Sequence, residues 1–304
     1  MKRIFVVGPT AIGKSDFGIN LAKTVNGEIL SMDSMQIYRG FDIGTGKVTL
    51  EETQGVPHHL LSILDPNEEF SAQEYCQLAS SSEEEIRRRG NVPIYVGGTG
   101  LYFQALLYPS DQFGVSPNPE FREQCEKILA HEGLAPLVLR LKQSSPKRAD
   151  SIDLNNPRRV IRALEIAEAG AEDQEMKLHR EMAPKDTIAI GLTTERAALY
   201  ERIERRVDKM FQHGLCQEVE VLLRHGISRD CPPFRGIGYK EVLPYLDGIT
   251  PYEEMVGSVK QHSRNYAKRQ LTWFRRYPWI QWIDALDSSA LEKTIEDIKE
   301  ALLD

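Results

Sequence analysis

Residues 8–15 read Gly-Pro-Thr-Ala-Ile-Gly-Lys-Ser, which is a complete phosphate loop of the form G-x-x-x-x-G-K-[ST]. The apolar run at residues 4–7 predicts a buried strand before the loop, and apolar residues at helical spacing over 16–25 predict a helix after it. In this context the loop N–H groups and the helix N-terminus face a bound anion. The stretch therefore predicts a di- or triphosphate site in which Lys14 supplies a positive charge and Ser15 holds Mg²⁺.

Further apolar runs predict the strands that surround the first one. Residues 28–32 and 92–96 predict buried parallel strands, residues 187–192 predict another, and residues 279–283 are a candidate for the last. A helical pattern lies between strands, notably at 71–89. Because strands and helices alternate, we predict an α/β fold with a doubly wound parallel sheet of the P-loop NTPase type. Ligands of such sheets bind beyond the carboxyl ends of the strands.

The middle of the chain has a different texture. Residues 109–119 are rich in proline, glycine and polar residues and predict a connector, and residues 120–181 are helical in pattern with charged faces. We therefore expect a catalytic α/β core formed by residues 1–113 and 188–304, interrupted by a helical insertion domain at 114–187.

The composition excludes several classes of protein. The chain has 304 residues, of which 41% are hydrophobic and 27% charged, and no apolar run approaches the ~20 residues that span a bilayer. We expect neither membrane attachment nor a signal peptide, because the first strand begins at once. Four scattered cysteines without a C-x-x-C pair predict neither disulfides nor a zinc site and fit the cytoplasm. The net charge of −7 argues against general nucleic-acid binding, so any such contact requires local basic patches.

Two polar residues follow predicted strands at the expected ligand edge. Asp33 can bind Mg²⁺ or act as a general base, although an aspartate in a turn or helix cap has the same sequence signature. Thr99 lies in Gly97-Gly98-Thr99-Gly100, where phosphate-loop ATPases usually carry an acidic Mg²⁺ ligand. The missing acid argues against a motor or regulatory NTPase. The glycines indicate either close approach of a substrate or a tight strand-to-helix turn.

Several basic clusters are candidates for contact with a polyanion. Arg158, Arg159 and Arg162 lie in the predicted insertion, and Arg202 and Arg206 are four residues apart on a predicted long helix. Residues 235–240 combine glycines with two cations and an aromatic ring, a composition that could cradle a nucleic-acid backbone. Exposed, solvated charged faces are the alternative for each of the arginine clusters.

Taken together, these segments resemble the tRNA dimethylallyltransferase (tRNA isopentenyltransferase) family of the bacterial type, which lacks a zinc-finger tail. The resemblance covers residues 4 to about 282, and its most specific motifs are Asp-Ser-x-Gln-x-Tyr at 33–38 and Gly-Gly-Thr-Gly-Leu-Tyr at 97–102. The other matching segments are the phosphate loop, Asp42-Ile43-Gly44-Thr45, Pro57-His58-His59, Pro157-Arg158-Arg159, Gly236-Ile237-Gly238-Tyr239, Lys268-Arg269-Gln270 and Thr272-Trp273-Phe274.

The resemblance implies a reaction. A dimethylallyl group would pass from dimethylallyl diphosphate to N6 of adenosine 37 in tRNAs that read codons beginning with U, with Mg²⁺ as cofactor. It implies a general base at Asp33, a substrate contact at Thr99, and catalytic cations at Lys14 and Arg206. The diphosphate would be bound by Gly8, Pro9, Thr10, Ala11, Ile12, Gly13, Lys14 and Ser15.

The resemblance also implies a tRNA-binding surface, with the target base flipped out of the anticodon loop and the insertion domain holding the anticodon stem. Its residues would be Asp33, Ser34, Met35, Gln36, Thr99, Arg122, Arg158, Arg159, Val160, Ile161, Arg162, Arg235, Gly236, Ile237, Gly238, Tyr239 and Lys240. We expect a cytoplasmic monomer.

Two departures from the family pattern are visible, and three other functions stay open. Ile12 replaces a small serine in the phosphate loop, and residues 169–173 lack the usual Thr-Gly-Lys-Pro turn. The alternatives are dimethylallyl transfer to free AMP, a small-molecule kinase whose loop holds ATP, and a nonenzymatic tRNA- or nucleotide-binding switch. The arginines at 158–162 favour tRNA over AMP.

Overall fold

The computed structural model describes residues 2–108, 115, 118–170 and 181–303. The strands are β1 Arg3–Val7, β2 Gly27–Ser31, β3 His58–His59, β4 Val92–Gly97, β5 Thr187–Thr193 and β6 Gln281–Asp284. The first helices along the chain are α1 Lys14–Val25, α2 Ala72–Arg88, α3 Gly100–Leu107, α4 Pro119–Glu132, α5 Ala135–Ser144, α6 Pro146–Ser151 and α7 Pro157–Glu168. The later helices are α8 Arg196–Gln212, α9 Leu215–Arg224, α10 Tyr239–Leu246, α11 Tyr252–Phe274 and α12 Ser288–Leu303.

The six strands form one parallel sheet in the order β3-β2-β4-β1-β5-β6. The central strand β1 pairs with β4 on one side and with β5 on the other. Strands β2, β3 and β4 therefore lie on one side of β1, and strands β5 and β6 lie on the other. This is the doubly wound α/β arrangement that the sequence predicts. The loops that follow β1, β2 and β4 lie at one edge of the sheet, because parallel strands end on the same side.

Burial explains why the predicted strands form. Ile4, Phe5, Val6 and Val7 are all inaccessible to solvent, as expected for a strand covered on both faces. The sheet core also contains Ile12, which is 1% exposed, so the isoleucine that replaces the family's serine packs beneath the phosphate loop. The larger side chain is therefore accommodated by the apolar core.

Two features of this half of the chain were not predicted. The two-residue strand β3 pairs with Ile29 and Leu30, but two residues are too short to show periodicity. Residues 235–240 were identified only as a glycine-rich segment that could cradle a nucleic-acid backbone. In the structure, Pro232–Arg235 forms a short 3-10 helix and α10 begins at Tyr239. With α9 and α11, they enclose a second core around Phe41, Phe234 and Tyr239.

The chain divides into two compact units, one made of residues 1–107 with 180–304 and the other of residues 108–179. The second unit contains α4–α7, and its core includes Phe121, Leu141, Val160 and Leu164. Most of the predicted connector at 109–119 and residues 171–173 of the atypical turn lie outside the described residues.

The cysteines and the hydrophobic character of the helices bear on the expectations about disulfides and membrane spans. All four cysteines are free thiols. Among the residues that the structure describes, every helix is too short or too polar to cross a bilayer.

Candidate active site

The phosphate loop connects β1 to α1 with an unusual backbone. Gly13, at the N-terminus of α1, has φ +102°, and Ala11 has φ +63°. A side chain at position 13 would be strained at this φ, which explains the glycine. The Lys14 ammonium donates a hydrogen bond to the carbonyl of Pro9 across the loop at 2.7 Å. The lysine is therefore folded over the loop where an anion would bind.

A second cation faces the same loop. Arg206, on α8, donates to the Thr10 hydroxyl at 3.1 Å and to the Thr45 carbonyl at 3.0 Å. Burial and the neighbouring Arg206 lower the pKa of Lys14 to about 7, against the opposing effect of Asp33. Burial also lowers the pKa of Arg206. Within the described residues neither cation has a carboxylate at salt-bridge distance, so the pair is arranged for an anionic ligand.

Arg202 differs from Arg206, although the sequence pairs them on one face of a helix. Its Nε donates to the carbonyl of Ala11 at 2.9 Å, so the guanidinium supports the backbone of the loop. Arg205 extends elsewhere and lies 3.6 Å from Glu201. The prediction that both Arg202 and Arg206 point at a polyanion stays a prediction; Arg202 is bonded to the loop backbone, whereas Arg206 bonds to the Thr10 hydroxyl and the Thr45 carbonyl.

Asp33 and Thr99 come together at the ends of β2 and β4. The Thr99 hydroxyl accepts a hydrogen bond from the backbone N–H of Ser34 at 3.0 Å, and the N–H of Thr99 donates to the carbonyl of Met32 at 3.2 Å. A carboxylate oxygen of Asp33 accepts from the N–H of Met35 at 2.9 Å, which fixes the turn. The carboxylate of Asp33 is thus held beside Lys14 and Arg206, and its charge acts to raise the pKa of both.

Gln36 closes this turn against the segment that holds Arg206. Its side-chain oxygen accepts from the Ser31 hydroxyl at 3.1 Å, and its amide nitrogen lies 3.4 Å from the Thr45 carbonyl and 3.3 Å from that of Gly46. Gln36 therefore stabilises the backbone at Thr45 and Gly46 against the turn that follows β2.

Two residues of α11 belong to the site, and the sequence analysis assigned no role to either. The amide of Gln270 is 5% exposed and bonds to Thr10 and Gly98. Tyr266 lies near Thr99 and Gln270, and burial together with nearby Asp33 raises the pKa of Tyr266. The available signal was a glutamine at a core-facing position of an amphipathic helix, since buried amides usually have specific partners.

The predicted cradle at 235–240 divides into buried and exposed parts. Tyr239 is 1% exposed, and its hydroxyl donates to Glu218 at 2.6 Å and accepts from the N–H of Gly44 at 3.0 Å. Burial and Glu218 raise the pKa of this tyrosine. Arg235 and Lys240 are exposed. Tyr239 therefore stabilises the segment around Gly44, and the two cations are accessible.

The second unit contains the remaining predicted tRNA residues. Arg122 and Arg162 both bond to the buried carboxylate of Glu165, at 2.9 Å and 2.5 Å respectively. The side chains of Val160 and Ile161 lie in the core of the unit, where Val160 is inaccessible to solvent and Ile161 is 8% exposed.

Arg158 and Arg159 are exposed in the first turn of α7. Asn156 caps this helix by accepting a hydrogen bond from the N–H of Arg159 at 3.3 Å. Their exposure fits contact with phosphates at the surface of this unit.

The Ser15 hydroxyl is a suitable oxygen ligand for Mg²⁺ carried by a diphosphate. Ser15 is exposed in the first turn of α1, next to Lys14. In residues 2–108, 115, 118–170 and 181–303, no group of three or more His, Cys, Asp or Glu side chains could hold a metal. Mg²⁺ usually takes one or two protein oxygens and completes its octahedron with phosphate oxygens and water, so a hydroxyl at the loop suits it.

Comparison with known proteins gives consistent matches. A family model described as IPP transferase matches residues 36–277, and one described as isopentenyl transferase matches residues 1–64. The tRNA dimethylallyltransferase of Bacillus velezensis is 45% identical over 301 residues, covering 98% of this chain and 96% of that relative. The tRNA dimethylallyltransferase of Bacillus subtilis is 46% identical over 283 residues, covering 92% and 90% respectively.

Solved structures agree with these matches. The full-length tRNA isopentenylpyrophosphate transferase from Bacillus halodurans aligns with a TM-score of 0.73 and 43% identity, covering 99% of this chain and 95% of that chain. A eukaryotic dimethylallyltransferase described as acting on tRNA aligns with a TM-score of 0.82 and 30% identity, covering 98% and 77%. The similarity extends over nearly the whole chain.

Proposed function

Since this chain belongs to the tRNA dimethylallyltransferase family, we propose that it transfers a dimethylallyl group from dimethylallyl diphosphate to N6 of an adenosine in tRNA. The acceptor in this proposal is adenosine 37 of tRNAs that read codons beginning with U. The observation that carries the proposal is that Asp33, whose turn is hydrogen-bonded to Thr99, lies close enough to the buried cations Lys14 and Arg206 to affect the pKa of both.

The cations serve the leaving group. As the bond between the prenyl C1 and the diphosphate oxygen breaks, its electron pair stays on diphosphate, and the negative charge there increases. Lys14, Arg206 and the loop N–H groups stabilise that charge, and because they are already in position little reorganisation is needed.

Asp33 serves the acceptor. The exocyclic amine of adenine is a poor nucleophile because its lone pair is delocalised into the ring. Asp33 takes the N6 proton as the new N6–C1 bond forms, which restores nucleophilicity. Thr99, held by Ser34, is the hydroxyl placed to contact the reacting groups.

Mg²⁺ would be held by Ser15 together with diphosphate oxygens, and when bound it would neutralise charge on the leaving group.

Contact with tRNA requires exposed cations, because the net charge of the protein is −7. Arg158 and Arg159 in the second unit, and Arg235 and Lys240 in the first, meet this requirement. Arg122 and Arg162 contribute with the N–H groups left over from Glu165. The tRNA substrate supports action in the cytoplasm.

The test supplies labelled dimethylallyl diphosphate and Mg²⁺ with either total tRNA or AMP. Label in tRNA, mapped to the adenosine beside the anticodon, supports the proposal. Label only in AMP would assign the enzyme to the adenylate-modifying class. If neither accepts label and ATP is hydrolysed instead, the kinase alternative is supported and the proposal is refuted.

The general base has a separate test. Asp33→Asn should lower the transfer rate by at least about 100-fold while inorganic diphosphate still binds. Asp297→Asn, an exposed change on α12, is the matched control and should retain full activity. Full transfer by the Asp33 variant would remove it from this role.

A further inference from the structure

The helix α11 carries one polar residue among the buried side chains of its core-facing side. Its buried residues are Met255, Val259, Ala267, Gln270 and Phe274. A primary amide at such a position loses its hydration, so it is tolerated when both its donor and its acceptor are satisfied.

Both ends of the Gln270 amide are satisfied by backbone, and by two different loops. Its oxygen accepts from the N–H of Thr10 at 2.8 Å, and its nitrogen donates to the carbonyl of Gly98 at 3.0 Å. Thr10 belongs to the phosphate loop after β1, and Gly98 belongs to the turn after β4. One side chain therefore joins the two loops from a third element.

The residue opposite the amide must be small. A Cβ added at Gly98 would overlap the amide nitrogen of Gln270, whereas glycine allows the nitrogen to reach the carbonyl. The glycine and the glutamine therefore depend on each other.

One of the two joined loops belongs to the proposed diphosphate site, and the other belongs to the proposed acceptor site. The Thr10 hydroxyl accepts from the diphosphate cation Arg206, and Thr99, next to Gly98, bonds to the turn of Asp33. We propose that Gln270 is a positioning residue, an amide clamp that sets the diphosphate site in register with the acceptor site. This inference rests on the proposed function.

The clamp acts on alignment more than on diphosphate affinity. Lys14 and Arg206 keep their own contacts when the clamp is removed, so the KM for dimethylallyl diphosphate should change little. Displacement of reacting groups by about 1 Å can cost on the order of 100-fold in rate, so kcat should fall by about that factor.

Gln270→Glu tests the clamp through its pH profile. At pH 8 the carboxylate accepts from Thr10 but cannot donate to the Gly98 carbonyl, and kcat should be about 100-fold below wild type. When the carboxyl is protonated it regains one donor and one acceptor in the same shape, so the ratio of variant to wild-type kcat should rise as the pH is lowered toward 6. Using the ratio removes the pH effects that both proteins share.

Two further variants separate the clamp from other effects. Gln270→Met keeps the length of the side chain without the hydrogen bonds, so its kcat should be low at every pH. Gln261→Glu makes the same chemical change at an exposed position of α11 and should leave kcat and its pH profile unchanged. Thermal melts set an assay temperature at which all the proteins are folded.

The outcomes separate this inference from the proposed function. Wild-type protein that binds inorganic diphosphate but prenylates no tRNA refutes the proposed function and the clamp with it. Active wild type with Gln270→Met within about twofold of its kcat refutes the clamp alone. A raised KM with unchanged kcat, or a Gln270→Glu defect that is constant with pH, also overturns it.

Discussion

Binding of a diphosphate should draw a proton onto Lys14. In the free protein, burial and Arg206 lower the pKa of this lysine to about 7, so near neutral pH a large fraction of it is uncharged. A bound anion favours the ammonium form and raises the pKa again. Diphosphate binding and protonation of Lys14 are therefore linked.

The size of the effect follows from the pKa. With a free pKa of about 7, roughly 0.9 proton should be taken up per diphosphate at pH 8 and roughly 0.1 at pH 6. If the ammonium form binds, the Kd should weaken by up to about tenfold for each pH unit above 7. Protons are taken up and not released, because the lowered pKa leaves Lys14 partly uncharged as the pH rises and diphosphate binding restores its charge.

Calorimetric titration with inorganic diphosphate and Mg²⁺ in buffers of different ionisation enthalpy measures the proton uptake. Lys14→Arg is the matched control, because a guanidinium stays charged throughout this range. Subtracting its proton uptake also removes the titration of the diphosphate itself. Equal uptake at pH 8 by wild type and Lys14→Arg would show that Lys14 is already charged in the free protein and would refute the reasoning.

Three further changes test the fold around the site. Hydrogen bonds from Arg89 lower the pKa of Glu28 to about 2. The ionised carboxylate therefore stabilises the folded protein above pH 4.5, and this stabilisation is lost as the pH falls. Between pH 5 and 3, the unfolding free energy of wild type, measured by urea titration, should fall by about 2 kcal/mol more than that of Glu28→Gln. Glu165→Gln leaves two half-exposed arginines without their carboxylate and should cost about 2–3 kcal/mol by thermal melting. Gly97→Ala would push a Cβ into the Met32 carbonyl and should cost about 3 kcal/mol by the same measurement.

Variants at exposed or open positions serve as comparisons for the Glu165 and Gly97 substitutions. Burial alone would raise the pKa of Glu165, and the hydrogen bonds from Arg122, the Asn118 N–H and Arg162 outweigh it. The exposed Glu123→Gln should therefore be nearly neutral by comparison. Gly257→Ala meets no atom and should leave stability unchanged or raised. Equal melting temperatures for a variant and its comparison would contradict the packing argument.

The local parts of the site were predictable because each is encoded in neighbouring residues. The phosphate loop, the strands before it and after it, and the polar residues beyond β2 and β4 follow from apolar runs and from glycine placement. The parallel sheet follows from the alternation of strands and helices, which is why the edge that carries Asp33 and Thr99 could be predicted.

The sequence did not distinguish residues with the same chemistry and spacing. Arg202 and Arg206 share a helical face, yet one supports a loop carbonyl and the other faces the anion site. Within 158–162, Arg158 and Arg159 are exposed while Val160 and Ile161 are in a core. These outcomes depend on what packs against each helix, which no local pattern contains.

By itself, the sequence determined that a phosphate loop follows a buried strand and that a carboxylate and a hydroxyl lie on adjacent loops. The tertiary structure decided which cations face the phosphate loop and brought Gln270 between Thr10 and Gly98, across 260 and 172 residues of chain. Contacts between residues so far apart arise from the packing of α11 on the sheet. Their partners are set by three-dimensional shape, whereas the phosphate loop is set by backbone geometry within eight consecutive residues.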